Sequence, residues 1–135
     1  LTVRFIFTYA VTAIVFLGID ALWLSQLALG MYRRELGGLL LDKPNLLIAG
    51  VFYLLFAAGI VLLVVFPALN GGGWMAAAWM GALLGLVAYG TYDITNLSTV
   101  RGWSLTVTLA DLVWGTVLTA VSAVAATLAL QSFRL

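Results

Sequence analysis

The sequence has no cysteine and no histidine, only two prolines, and only 8% charged residues. Without thiols or imidazoles, the chain offers no disulfide, no cysteine nucleophile, no structural zinc site and no imidazole ligand for haem. Six basic and five acidic residues leave a net charge of +1, which provides no electrostatic footprint for nucleic acid. What is present is apolar: 64% of the 135 residues are hydrophobic, with a mean hydropathy of +1.18. Soluble domains carry about 25% charged residues. The composition therefore predicts a single transmembrane domain over residues 1–135.

Four apolar stretches are long enough to cross a hydrocarbon core, which takes about 20 helical residues. They lie at about 5–29, 46–69, 74–97 and 104–130, and predict an all-α, antiparallel bundle of four transmembrane helices. The first is followed by Met31-Tyr32-Arg33-Arg34-Glu35 and the glycines Gly37 and Gly38, expected as an amphipathic link at the headgroups. Pro44 is placed to begin the second helix, with Asp42 as its expected cap. Asn70 to Gly73 is a tight turn that sends the third helix back beside the second. The third helix repeats small or polar residues at every fourth position, Ala77, Gly81, Gly85, Tyr89 and Asp93, a column suited to close helix packing. In the fourth, Ser104, Thr108, Asp111, Gly115 and Ser122 fall on one face, expected to look inward.

Three carboxylates, Asp20, Asp93 and Asp111, sit inside these apolar stretches. A charge at a helix centre costs roughly 2.5 to 3.5 kcal/mol on insertion scales, so such residues mark functional candidates by default. Asp20 and Asp111 are each followed three residues later by tryptophan, Trp23 and Trp114, on the same helix face. Each indole is placed either to donate its N–H to the neighbouring acid or to anchor at the interface. Counting rise per residue from the span ends brings all three acids, with Tyr53, Tyr89 and Tyr92, into the same half of the bundle. The candidate ligand-binding set is Asp20, Trp23, Tyr53, Tyr89, Tyr92, Asp93, Asn96, Arg101, Asp111 and Trp114. No DxxD spacing gathers the carboxylates for Mg²⁺ or Mn²⁺, and no metal or other cofactor is expected. Arg33, Arg34, Lys43 and Arg101 stand on the acidic side against Arg4 and Arg134 opposite, which predicts a cytoplasmic acidic end and external termini in a bacterial inner membrane.

This residue set supports three functions. The acids form a pocket that binds or transports an amphipathic, lipid-like or cationic small molecule with proton exchange, aromatic faces adding cation–π contacts. Alternatively, an aspartate and a tyrosine perform acid–base chemistry on a membrane lipid. In the third reading the acids are hydrogen-bonded glue in a scaffold or accessory subunit of a larger membrane complex. Membrane lipids are the expected surroundings in each case. A bundle this small is expected to form a homodimer if it is to enclose a pathway, by class-level analogy with small multidrug carriers.

Several motifs combine along nearly the whole chain: Asp20-Ala-Leu-Trp23, Tyr32-Arg33-Arg34, Pro44-Asn45, Phe52-Tyr53-Leu54-Leu55, Tyr89-Gly90-Thr91-Tyr92-Asp93-Ile94-Thr95-Asn96, Arg101-Gly102-Trp103 and Asp111-Leu-Val-Trp114-Gly115. With these the sequence resembles the bacterial domain-of-unknown-function family numbered twenty-one seventy-seven. The resemblance implies a four-helix membrane protein in which the polar set is a family feature. It implies no particular activity, substrate or cofactor.

Overall fold

The computed structural model describes residues 2–133, and four long helices account for most of them. Helix α1 spans Thr2–Leu39, α2 Leu46–Asn70, α3 Gly73–Thr99 and α4 Leu105–Phe133, and each is long and apolar enough to cross a membrane. The chain is an all-α, multi-pass membrane protein. Its outward faces are covered with exposed Leu, Ile, Val and Phe, as a surface solvated by lipid requires.

The first helix differs from the expected span of 5–29. It does not end at Leu29 but widens into a π-helical turn at Trp23–Ala28, resumes as α-helix over Leu29–Leu36 and closes in a single 3₁₀ turn. The stretch expected to be a headgroup link is thus mostly helix, which carries Tyr32 and Glu35 along α4. Glu35 accepts a hydrogen bond there from Ser104 Oγ at 3.0 Å. The cap of α2 also differs: Asn45, not Asp42, accepts from the Ile48 N–H, at 3.2 Å. Asparagine satisfies one of the orphan donors of the first turn, and Pro44 lies just outside the helix instead of in it.

Helix α2 has two halves with different neighbours. A π-helical turn at Val61–Val65 precedes Pro67, whose ring and missing N–H cannot be fitted into a regular helical ladder. From this turn onward α2 touches all three other helices, whereas its first half, Leu46–Ile60, packs chiefly along α1. The bundle is closed at the Val61 end and open at the other. The core fills the closed half with Phe16, Ile60, Val64, Val65, Ala68, Ala77, Leu118, Ala123 and Ala126, drawn from all four helices.

Helices α3 and α4 form the tightest pair. The turn between α2 and α3 uses Gly72 and Gly73 at φ of 92° and 61°, a region open to glycine at little cost. Four members of the expected packing column, Ala77, Gly81, Gly85 and Asp93, are buried against a buried row on α4 that includes Thr108, Asp111, Gly115 and Ser122, and the fifth, Tyr89, is only part-buried. A Cβ on Gly85 would collide with the Gly115 carbonyl, so the two backbones meet where neither has a side chain. Gly85→Ala is accordingly expected to cost about 1–3 kcal/mol through overpacking. Gly18→Ala, where the added methyl meets nothing, is expected to be neutral or slightly stabilising. Thermal unfolding of both variants in detergent checks this, and a Gly85→Ala protein as stable as Gly18→Ala would contradict the α3–α4 contact.

Candidate functional site

The open half of the bundle contains a cavity of about 420 Å³, within the size range of small-molecule pockets. It exists because the first half of α2 leans on α1 and away from α3 and α4. Phe52 and Tyr53 of α2 therefore line the cavity opposite Ala88 and Tyr92 of α3, while Phe56 meets the Tyr89 ring edge-on at 6.4 Å and closes its inner end. Helix α1 supplies Asp20, Trp23, Leu24, Tyr32 and Leu36, and α4 supplies Val107, Asp111 and Trp114. The wall is mostly aromatic and aliphatic, and among the described residues its only charged members are Asp20 and Asp111.

Neither tryptophan donates to the acid of its own DxxW motif: Trp114 reaches the opposite helix directly, and Trp23 reaches it through Tyr32, a residue of its own helix. Trp114 on α4 donates Nε1–H to Asp20 Oδ1 on α1 at 3.0 Å. Trp23 on α1 donates to the Tyr32 hydroxyl at 3.5 Å, and Tyr32 in turn donates to Asp111 Oδ1 on α4. The two indoles stack face to face, with centroids 4.5 Å apart and planes 10° from parallel. Crossed hydrogen bonds and the stack together tie α1 to α4 and fix both carboxylates in the cavity wall. Tyr53 stands beside Asp20. The Tyr89 ring packs over Gly115, which has no side chain to obstruct it.

Asp93 has a different position. It is fully buried between α3 and α4, next to Asp111, but is not part of the cavity wall. Neither of its oxygens meets the geometry of a hydrogen bond within the protein. Of the ten residues expected at the site, Asp20, Trp23, Tyr53, Tyr89, Tyr92, Asp111 and Trp114 line the cavity. Asp93 lies behind it. Asn96 and Arg101 do not line it; Asn96 adjoins Tyr92 near the end of α3, and Arg101 is exposed on the following turn. Among the described residues no three acids gather into a metal-holding group.

Sequence reasoning missed Tyr32, Phe52, Phe56 and Trp103. Trp103 packs edge-on against Tyr92 at 5.7 Å, and its buried N–H has no partner. Tyr32 follows Trp23 by nine positions, about two and a half turns of a regular α-helix, which would put the two on opposite sides. The intervening π-helical turn shifts the phase and brings them together. Phe52 and Phe56 share one face of α2 at the i, i+4 spacing, but no polar neighbour in the sequence separates that face from the lipid-facing ones. Because Tyr32 bridges both helices, Tyr32→Phe strands one oxygen of Asp111 and the Trp23 N–H, and is expected to cost about 1–3 kcal/mol. A thermal melt of the folded variant measures this, and an unchanged midpoint would mean the bridge does not hold in the membrane protein.

A search of the curated proteins and of the solved structures gives no match to the chain. A family model does match, that of a predicted membrane protein, and it covers residues 5–128, nearly all of the four helices and every residue of the cavity wall. The chain belongs to the DUF2177 family of predicted membrane proteins.

Proposed function

We propose that the protein binds, and carries across or within the membrane, a small amphipathic or lipid-like cation in the cavity of its open half. The observation carrying this reading is the pairing of two carboxylates, Asp20 and Asp111, with aromatic faces in a wall that has no basic residue. A positive headgroup gains there from both carboxylates and from the rings, since a cation over an aromatic face is worth about 0.5–2 kcal/mol. Asp93, adjacent to Asp111 but outside the wall, provides the proton side of an exchange. One cation is taken up at Asp111 while one proton leaves the carboxyl pair, so total charge is conserved.

Calorimetric titration of the detergent-solubilised protein with tetraphenylphosphonium, a cation that cannot itself titrate, tests this. Asp20→Asn and Asp111→Asn are expected to weaken binding by about tenfold or more, equivalent to at least about 1.4 kcal/mol each. Asp93→Asn is expected to weaken it less while abolishing the proton released on binding, read with an indicator dye in unbuffered solution. If tetraphenylphosphonium fails to bind, or binds equally well to Asp20→Asn and Asp111→Asn, the cation reading is wrong.

We place the open end of the bundle on the cytoplasmic side of a bacterial inner membrane. Arg33, Arg34, Lys43 and Arg101 flank that end, whereas Arg4 lies at the other, beside the Phe66 ring at 5.3 Å. Arg134, also expected at the closed end, lies outside the described residues. An excess of basic residues marks the cytoplasmic side. Because the chain has no native cysteine, single substitutions at exposed Gly71 and Ser98 report on the two ends. An impermeant maleimide applied to intact cells is expected to label Gly71→Cys and to spare Ser98→Cys, and the reverse pattern would invert the orientation.

A further inference from the structure

A shallow, open groove lies against the outer side of the same wall. It measures about 440 Å³ and is lined by Trp23, Leu109, Ala110, Val113, Trp114 and Val117. Leu109, Val113 and Val117 are 55%, 66% and 49% exposed, which places this groove on the lipid-facing side of α4. Only Trp23 and Trp114 are common to both linings. The stacked indole pair is therefore the partition between an acidic cavity inside the bundle and an apolar groove outside it.

The hydrogen bonds that keep this partition closed end on the residues proposed to receive the cation. Trp114 is held by Asp20, and Trp23 is held through Tyr32 by Asp111. A positive headgroup that engages these carboxylates competes with the bonds that fix the indoles. Trp23 is also the first residue of the π-helical turn Trp23–Ala28, and such turns recur at functional sites within otherwise regular helices. Apart from the two indoles, the groove has only aliphatic walls, which suit a hydrocarbon chain and nothing charged.

We propose that the ligand is a single-chain cationic amphiphile whose headgroup sits between Asp20 and Asp111, while its alkyl chain passes between Trp23 and Trp114 into the groove formed by Leu109, Val113 and Val117. This rests on the cation reading of the cavity and adds the chain, its path and the gate. A chain moving from lipid into the groove gains little hydrophobic free energy, because lipid tails are as apolar as leucine. The headgroup thus supplies the affinity and opens the indoles, and the groove selects for a ligand that has a tail. The route also spares the charge a passage through hydrocarbon alone, since the head enters the cavity while the tail stays in the bilayer.

Photocrosslinking tests the path. The probe is an alkyltrimethylammonium with a diazirine at the end of its chain, added to the full protein in lipid nanodiscs, with the adducts mapped by peptide mass spectrometry. Adducts on Leu109, Val113 or Val117 that disappear with excess tetraphenylphosphonium are the expected result. Trp114→Phe, which keeps a stackable ring but cannot donate to Asp20, is expected to raise their yield roughly fivefold, the equivalent of one lost hydrogen bond of about 1 kcal/mol. Groove adducts that persist under competition would mean that the groove merely takes bilayer chains, and would overturn the inference. Competable adducts confined to Leu36, Leu40 or Phe52 would likewise overturn it while leaving the cation site standing. If no labelling is competed and tetraphenylphosphonium itself does not bind, the cation site fails and this inference fails with it.

Discussion

The open half of this bundle depends on the crossed connection between α1 and α4. Asp20 and Asp111 are each anchored by a hydrogen bond from the opposite helix, and the indoles involved stack on one another. In hydrocarbon, a carboxyl group with no partner is far more costly than one engaged by a donor, so the acids and the aromatic side chains require each other. Offset or parallel aromatic pairs add about 0.5–1.5 kcal/mol beyond the area they bury. These contacts extend the packing of the core, which Tyr53, Phe56 and Trp114 adjoin, into the open half.

Two irregular turns make the arrangement possible. The π-helical turn at Trp23–Ala28 rephases α1 so that Tyr32 comes to lie over the same helix as Asp20 and Trp23. The turn at Val61–Val65 accommodates Pro67 and divides α2 into a half that joins the core and a half that leans away from α3 and α4. A wide turn leaves an intrahelical bond longer or rearranged, and in lipid that cost must be recovered locally. The first turn recovers it through the Tyr32–Asp111 bond. The second lies in the best-packed part of the molecule, where Val61, Val64 and Val65 are almost fully buried.

Much of the fold was legible in the sequence because bilayer thickness sets the length of each span, and the Gly81 and Gly85 column marks the α3–α4 interface by the absence of side chains. Five of the cavity residues were legible for a related reason, since a carboxylate or tyrosine in an apolar run has few places to go except inward, and Trp23 and Trp114 were legible from their spacing to two of those acids. What was not legible depends on phase and on tertiary reach. The continuation of α1 past Leu29 was hidden by Arg33, Arg34 and Glu35, which read as an interfacial link, although the two arginines are exposed on a helix whose α4-facing side carries Tyr32 and Glu35. The DxxW pattern located the right four residues and mispaired them, since spacing within one helix says which face they share and not which helix that face meets. Asn96 and Arg101 fall outside the cavity wall because they lie beyond Asp93 at the end of α3 and on the exposed turn after it, where the wall has already ended.

The two halves of the molecule also differ in how freely they can move. Helices α3 and α4 are in backbone contact at Gly85 and Gly115, where no side chain can rotate to absorb a displacement, so this pair behaves as one body. Asp93 lies within that pair, whereas the walls of the cavity that face it come from α1 and α2, each interrupted by a π-helical turn. Of the walls of the cavity, the first half of α2 is the one least tied to the α3–α4 pair, since it packs chiefly along α1. Asp111 belongs to the α3–α4 pair and accepts a hydrogen bond across the cavity wall from Tyr32 on α1. The Tyr32 hydroxyl on this carboxylate is thus one of the links that hold α1 against the α3–α4 pair, and removing it loosens the wall of the cavity at that point.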